Sequence, residues 1–141
     1  MIPARYLLDT SALVRILRDA EIRAAWEQQI TAGLVAVCPV VELEFLFTAR
    51  SARDRSELVS LLGTVFGWVD TPERAFARAA EVQQQLTERG THRSAGMADL
   101  LVASTAELHQ LTLVHYDHDF LHIAAVSAQR VVWVVPPGTV D

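Results

Sequence analysis

The chain has 141 residues, 51% of them hydrophobic and 21% charged, and carries a formal net charge of −5. That length fits a single domain spanning 1–141 with a sizeable core, and no apolar run is long enough to cross a membrane. The lone cysteine, Cys38, excludes an internal disulfide, and since all 12 basic residues are arginine, any mechanism that needs a lysine is excluded too.

Residues 5–8 (RYLL) form a short apolar run that stops at Asp9, and the start shows no basic, apolar and small-residue succession of a signal peptide. A cytoplasmic protein is expected. Residues 11–18 and 20–31 read as helices, with Leu13, Val14 and Leu17 on one face of the first. Residues 34–38 read as a strand, and Pro39 opens a helix over 39–50, since proline suits the first helical turn. Leu58, Leu61, Leu62, Val65 and Phe66 make the stripe of an amphipathic helix over 53–66. Trp68 and Val69 form a short strand. Thr71-Pro72 caps and opens the next helix, striped by Ala75, Ala79, Val82 and Leu86, and Gly90 closes it. Residues 97–110 are helical. Leu113 and Val114 belong to a strand ending before Tyr116-Asp117, a helix covers 118–126, and 131–135 is a last buried strand. Continuously apolar strands alternating with helices require a parallel sheet covered on both faces. The fold class is therefore α/β, three-layer α/β/α, with a central parallel sheet of about five strands. Ligands of such sheets bind beyond the carboxyl ends of the strands.

The acidic residues fall at that edge. Asp9 and Asp117 each follow an apolar strand directly, while Glu42 and Asp99 lie in the first turns of helices. Singly, each has a plain structural role as a helix cap or a partner of the helix dipole. Together, four carboxylates distant in sequence become neighbours in space. Such a cluster raises its own pKa values unless a cation sits in it. Oxygen ligands without clustered histidine or cysteine favour Mg²⁺ or Mn²⁺. A bound ion would also reverse the local field, which makes the acidic net charge compatible with nucleic acid.

Four blocks, DTSAL at 9–13, VVELEFL at 40–46, MADLLVAS at 97–104 and HYDHDF at 115–120, resemble in order and spacing those of PIN-domain proteins. More narrowly they resemble the VapC toxins of bacterial toxin–antitoxin pairs. The resemblance covers nearly the whole chain and implies a PIN-like domain with metal-dependent endoribonuclease activity, leaving 5′-phosphate and 3′-hydroxyl ends. The family's acids fall on Asp9, Glu42, Asp99 and Asp117, with Asp119 as auxiliary. Asp9, Asp99 and Asp117 are the implied metal ligands, with Glu42 acting directly or through water. Ser11 matches the small hydroxyl residue that helps order the site. MAD stands where many members carry proline or isoleucine near the third acid. Glu44 is a second acid beside Glu42; helix positions i and i+2 point to different sides, and Glu42 is chosen because its E-L pair aligns with the family block. The resemblance also implies an RNA substrate, a homodimer and a cognate VapB-like antitoxin whose C-terminal segment covers the site. Leu13, Leu17, Phe45 and Phe47 offer more apolar surface than one core face needs, which points the same way.

Arg15 and Arg93 are candidates to hold flanking phosphates. Their competing reading is solvated surface arginine. His118 and His122 stand four apart, but neither a cysteine nor a third histidine follows at zinc-ligand spacing. Cys38 reads as a small buried hydrophobe, and Trp26, Trp68 and Trp133 as core or interface residues. DHD at 117–119 resembles the start of a dehalogenase-type phosphatase, and five strands with early acids also suit a phosphoacceptor receiver domain. Both resemble families that use a lysine, and this chain has none. The remaining alternative is a catalytically silent PIN fold that binds RNA or protein.

Overall fold

The computed structural model describes residues 3–140. Its strands are β1 (Tyr6–Leu8), β2 (Val35–Val37), β3 (Gly67–Trp68), β4 (Thr112–His115) and β5 (Val131–Trp133). The helices are α1 (Thr10–Arg18), α2 (Ala20–Thr31), α3 (Pro39–Leu46), α4 (Ala52–Val65), α5 (Arg74–Glu88), α6 (Met97–Leu108) and α7 (Asp119–Val126), with a 3₁₀ turn at His92–Ser94.

All strand pairs are parallel, in the order β3-β2-β1-β4-β5. The chain therefore leaves β1 toward one side of the sheet and returns to β4 on the other. Right-handed crossovers in opposite directions place helices on opposite faces. The packing agrees: α1–α4 form one contiguous set and α5–α7 another, and α3 in addition touches α6. Reversal of strand order makes the crevice between β1 and β4 the topological switch point, where open α/β sheets bind ligands. The register Leu8↔Val114 and the hydrogen bond from Asp9 N to the Val114 carbonyl (3.0 Å) set Asp9 and the end of β4 side by side.

The core explains why the strands read as apolar runs. Leu7, Leu8, Ala36, Leu113 and Val114 are fully buried, each large aliphatic side chain contributing about 1.5–3 kcal/mol. On α6 every residue from Leu100 to Ala106 is buried. An arginine fork ties α6 to α5: Arg78 Nε and Nη2 donate to the two carboxylate oxygens of Glu107 at 2.6 and 3.2 Å.

Four local expectations change. The last strand, expected to be buried over 131–135, spans only Val131–Trp133 at the edge of the sheet, with Val132 exposed. The helix expected over 39–50 ends as a helix at Leu46 because Thr48 turns its hydroxyl onto the Phe45 carbonyl (2.7 Å), and Thr48 N and Ala49 N bond three residues back. Thr71 does not cap α5; the turn opens by Ala75 N donating to the Pro72 carbonyl (2.9 Å), and the helix starts at Arg74. Leu13 and Phe45 are buried in the core, so neither is surplus surface for a dimer; Phe47 is 89% exposed and Leu43 68%. Cys38 is buried as expected, and Gly90 takes a left-handed conformation (φ 72°) past the end of α5.

Candidate active site

Asp9 is the hub. As N-cap of α1 it accepts from Ala12 N at 2.9 Å, and Ser11 Oγ reaches both its oxygens at 2.7 and 2.8 Å. The same Ser11 oxygen accepts from Tyr116 N at 2.9 Å. One hydroxyl thus joins the first turn of α1 to the end of β4. A capping aspartate is ordinarily wet, whereas Asp9 is 5% exposed. Burial raises its pKa to about 6 despite those hydrogen bonds, and Asp99 adds repulsion. Keeping Asp9 ionised at neutral pH therefore costs the fold about 3 kcal/mol.

Asp99 opens α6, where its carboxylate accepts from Gly96 N (3.3 Å). Its pKa is also raised to about 6, by burial first and then by the charges of Asp117, Glu44 and Asp119. Asp117 sits past β4, with Oδ1 accepting from Asp119 N at 2.9 Å. Of the expected acids, Asp9, Asp99 and Asp117, with the auxiliary Asp119, thus form one electrostatic neighbourhood built from β1, α6 and the β4–α7 corner. Among the described residues no three of these side chains are drawn together at metal-ligand distance. The donor set, carboxylates held in partial burial against their mutual repulsion, suits a hard divalent cation.

The two acids of α3 separate. Glu44 accepts a hydrogen bond from Thr10 Oγ1, next to Asp9, and its charge acts on Asp99. The field of Glu42 acts instead on the Cys38 thiol, whose pKa is raised chiefly by burial. Helical periodicity puts these acids on different sides of α3 but does not say which side meets the crevice. Glu44 is the one of the two that contacts Thr10 beside Asp9, and nothing in the local sequence signals that contact.

Sequence reasoning also passed over His115, the last residue of β4. It is fully buried, with ring centroids 5.3 Å from Phe120 and 4.7 Å from Trp133. Burial lowers its pKa to about 4, so the ring is neutral at neutral pH. Its Nδ1 accepts from Asp117 N at 3.1 Å, which puts the ring hydrogen on Nε2. That Nε2 is buried without a partner, at a cost of roughly 1–3 kcal/mol.

The other candidates lie around the rim. The Arg15 guanidinium stacks 4.4 Å over the Tyr116 ring, and Nη1 donates to the Ser11 carbonyl (3.0 Å). It braces the corner that holds Asp9 and Asp117. Arg93 is exposed on the 3₁₀ turn ahead of α6. His118 packs edge-on against Trp133, and His122 pairs with Ser94 Oγ at 2.7 Å. Tyr116 Oη donates to the Val140 carbonyl (2.6 Å) and accepts from Gly138 N and Val140 N, fixing the C-terminal segment beside the site.

A PIN-domain family model matches residues 6–126. The chain is 43% identical to Ribonuclease VapC21 of Mycobacterium tuberculosis, over 96% of this chain and 97% of that protein. This chain is a PIN-domain protein of the VapC family. Ribonuclease VapC51 of the same organism is 38% identical, over 97% of this chain and 98% of its own. Solved structures with the PIN fold include VapBC2 from Rickettsia felis bound to a promoter DNA fragment (TM-score 0.77, 16% identity, 94% of this chain and 98% of that one). DNA-bound VapBC from Salmonella typhimurium gives a TM-score of 0.73 at 17% identity, over 94% and 99%. At such identities they bear on the fold alone. They place this PIN domain in the expected α/β/α class with its five-stranded parallel sheet. Among the described residues no helix is long and apolar enough to cross a membrane.

Proposed function

We propose that the chain is a divalent-metal-dependent endoribonuclease, the toxin of a toxin–antitoxin pair. The observation that supports this most is the burial of Asp9 and Asp99 at the β1/β4 switch point, which raises both to about 6, with the charges of Asp117, Glu44 and Asp119 adding to the shift of Asp99. A structural cap has no reason to carry that cost; a cation site does. The resemblance to named VapC ribonucleases supplies the substrate class.

In this reading Asp9, Asp99 and Asp117 hold Mg²⁺ or Mn²⁺, with Glu44 rather than Glu42 in the fourth position and Asp119 in support. With a divalent ion held there, these residues would gain charge relief on the phosphodiester and a bound water of lowered pKa to serve as nucleophile near neutral pH. Ser11 fixes both Asp9 oxygens, so that the carboxylate presents one orientation. Arg15 stiffens the β4–α7 corner through Tyr116, and in this reading the exposed Arg93 meets a flanking phosphate. Asp99→Asn keeps the capping geometry and removes the charge, so it should abolish RNA cleavage while the fold persists. Unchanged cleavage by that variant would reject the carboxylate centre. Absence of cleavage by the wild type, with RNA still bound, would favour the silent-module reading.

The partner follows from the same field. A pocket of carboxylates accepts a guanidinium through a forked pair of hydrogen bonds. The Rickettsia felis structure of the same fold is of VapBC2, and we expect a VapB-like antitoxin here whose C-terminal segment brings an arginine or lysine to Asp9, Asp99 or Asp117. Alanine at each C-terminal basic residue of the antitoxin, assayed for inhibition, checks this. Full inhibition by every variant would leave only steric blocking.

A further inference from the structure

We propose that His115 is a positioning residue for Asp117, holding the carboxylate that follows it through a backbone hydrogen bond rather than serving as core filling. The inference rests on the metal-site reading above and adds a residue to it. Asp117 follows the last strand residue of β4 and leads into α7 at Asp119, so its backbone lies where the regular ladder has ended. Its amide would have no strand partner there. His115 supplies one from two residues back, Nδ1 accepting from Asp117 N at 3.1 Å.

The ring that makes this bond cannot drift. Phe120 from α7 lies on it at 5.3 Å and Trp133 from β5 at 4.7 Å, and the side chain is fully buried. Next along the chain, Asp117 Oδ1 accepts from Asp119 N at 2.9 Å. The carboxylate is thus held from both sides, its backbone by His115 and its oxygen by the start of α7. Packing alone does not call for histidine. The other ring nitrogen, Nε2, is buried with no partner, a penalty that an apolar ring of similar size escapes. The acceptor at Nδ1 is what a phenylalanine would lack.

Three variants separate the roles. Asparagine places an amide oxygen near the position of Nδ1 and keeps the acceptor; glutamine reaches toward Nε2 instead; phenylalanine keeps the ring and loses the acceptor. Two readouts apply to the full chain: Mn²⁺ affinity by calorimetry, and hydrogen exchange of the Asp117 amide without metal. Wild type and His115→Asn should protect that amide. His115→Gln and His115→Phe should lose the protection and bind Mn²⁺ about tenfold more weakly, the lower end of what losing a supporting partner of a metal ligand costs. His115→Phe should do so without melting lower than His115→Asn. The proposal is overturned if His115→Phe keeps wild-type amide protection and affinity. It is equally overturned if affinity simply follows melting temperature across the three variants. Failure of the wild type to bind Mn²⁺ would sink the metal reading itself, and amide protection would then decide the His115 tie on its own.

Discussion

Asp9 and Asp99 show how a residue can work against its own fold. Asp99 titrates at about 6 when folded and near 3.8 when free. Between those values the folded chain holds more protons than the unfolded chain, so its contribution to stability falls as pH rises through that window. The buried His115, lowered to about 4, acts in the opposite direction, so the test compares a variant with wild type rather than wild type with itself. In chelator near neutral pH, Asp99→Asn should be more stable than wild type by about 1–3 kcal/mol, discounted for its partial exposure. The margin should vanish as pH falls to about 4. Scanning calorimetry checks this, and a less stable variant at neutral pH would count against the charge cluster. At the same scale, Glu44→Gln should lower cleavage by about 10–100-fold, and Glu42→Gln should change it less, because Glu44 contacts Thr10 and its charge acts on Asp99. Equal losses in both variants would return the fourth position to doubt.

Elements matter here through their ends. The site is the meeting of β1, α1, β4, α6 and α7 termini, and Ser11 is the joint between two of them. Ser11→Ala should leave Asp9 capping α1 through Ala12 N while loosening the β4–α7 corner, with metal affinity reduced by about 10–100-fold. Calorimetric titration with Mn²⁺ reads it; an unchanged affinity would make Ser11 a bystander. The strands were legible because a doubly covered sheet leaves no polar face, so β1 and β4 read as apolar runs ending in acids. That pattern also exposed Asp9 and Asp117. Phase was not legible. Which side of α3 meets the crevice depends on how α3 packs against α1 and α6, so Glu42 and Glu44 could not be told apart. The role of His115 was hidden for a related reason: a histidine in an apolar strand shows neither its ring neighbours nor its tautomer until the tertiary structure supplies them.

For the whole molecule, the exposed apolar side chains bear on assembly. Leu43 on α3, Phe47 just past its end and Met97 at the head of α6 are 68%, 89% and 79% exposed, and α3 packs against α6. Such side chains mark a surface that a second copy could cover. Phe47→Glu should shift the expected homodimer to monomer in sedimentation without lowering the melting temperature, whereas Phe45→Ala should destabilise the fold by about 3–5 kcal/mol because Phe45 is core. A Phe47→Glu variant that remains dimeric would move the interface elsewhere. In the proposed function the carboxylates at the β1/β4 switch point work by holding a divalent cation on RNA. The most direct test of this is cleavage of a defined RNA by the purified chain in Mg²⁺ or Mn²⁺, in excess EDTA, and in EDTA followed by restored Mn²⁺. Cleavage is expected with metal, none in chelator, and recovery on restoring Mn²⁺ for wild type but not for Asp9→Asn. Full cleavage in excess chelator would contradict it.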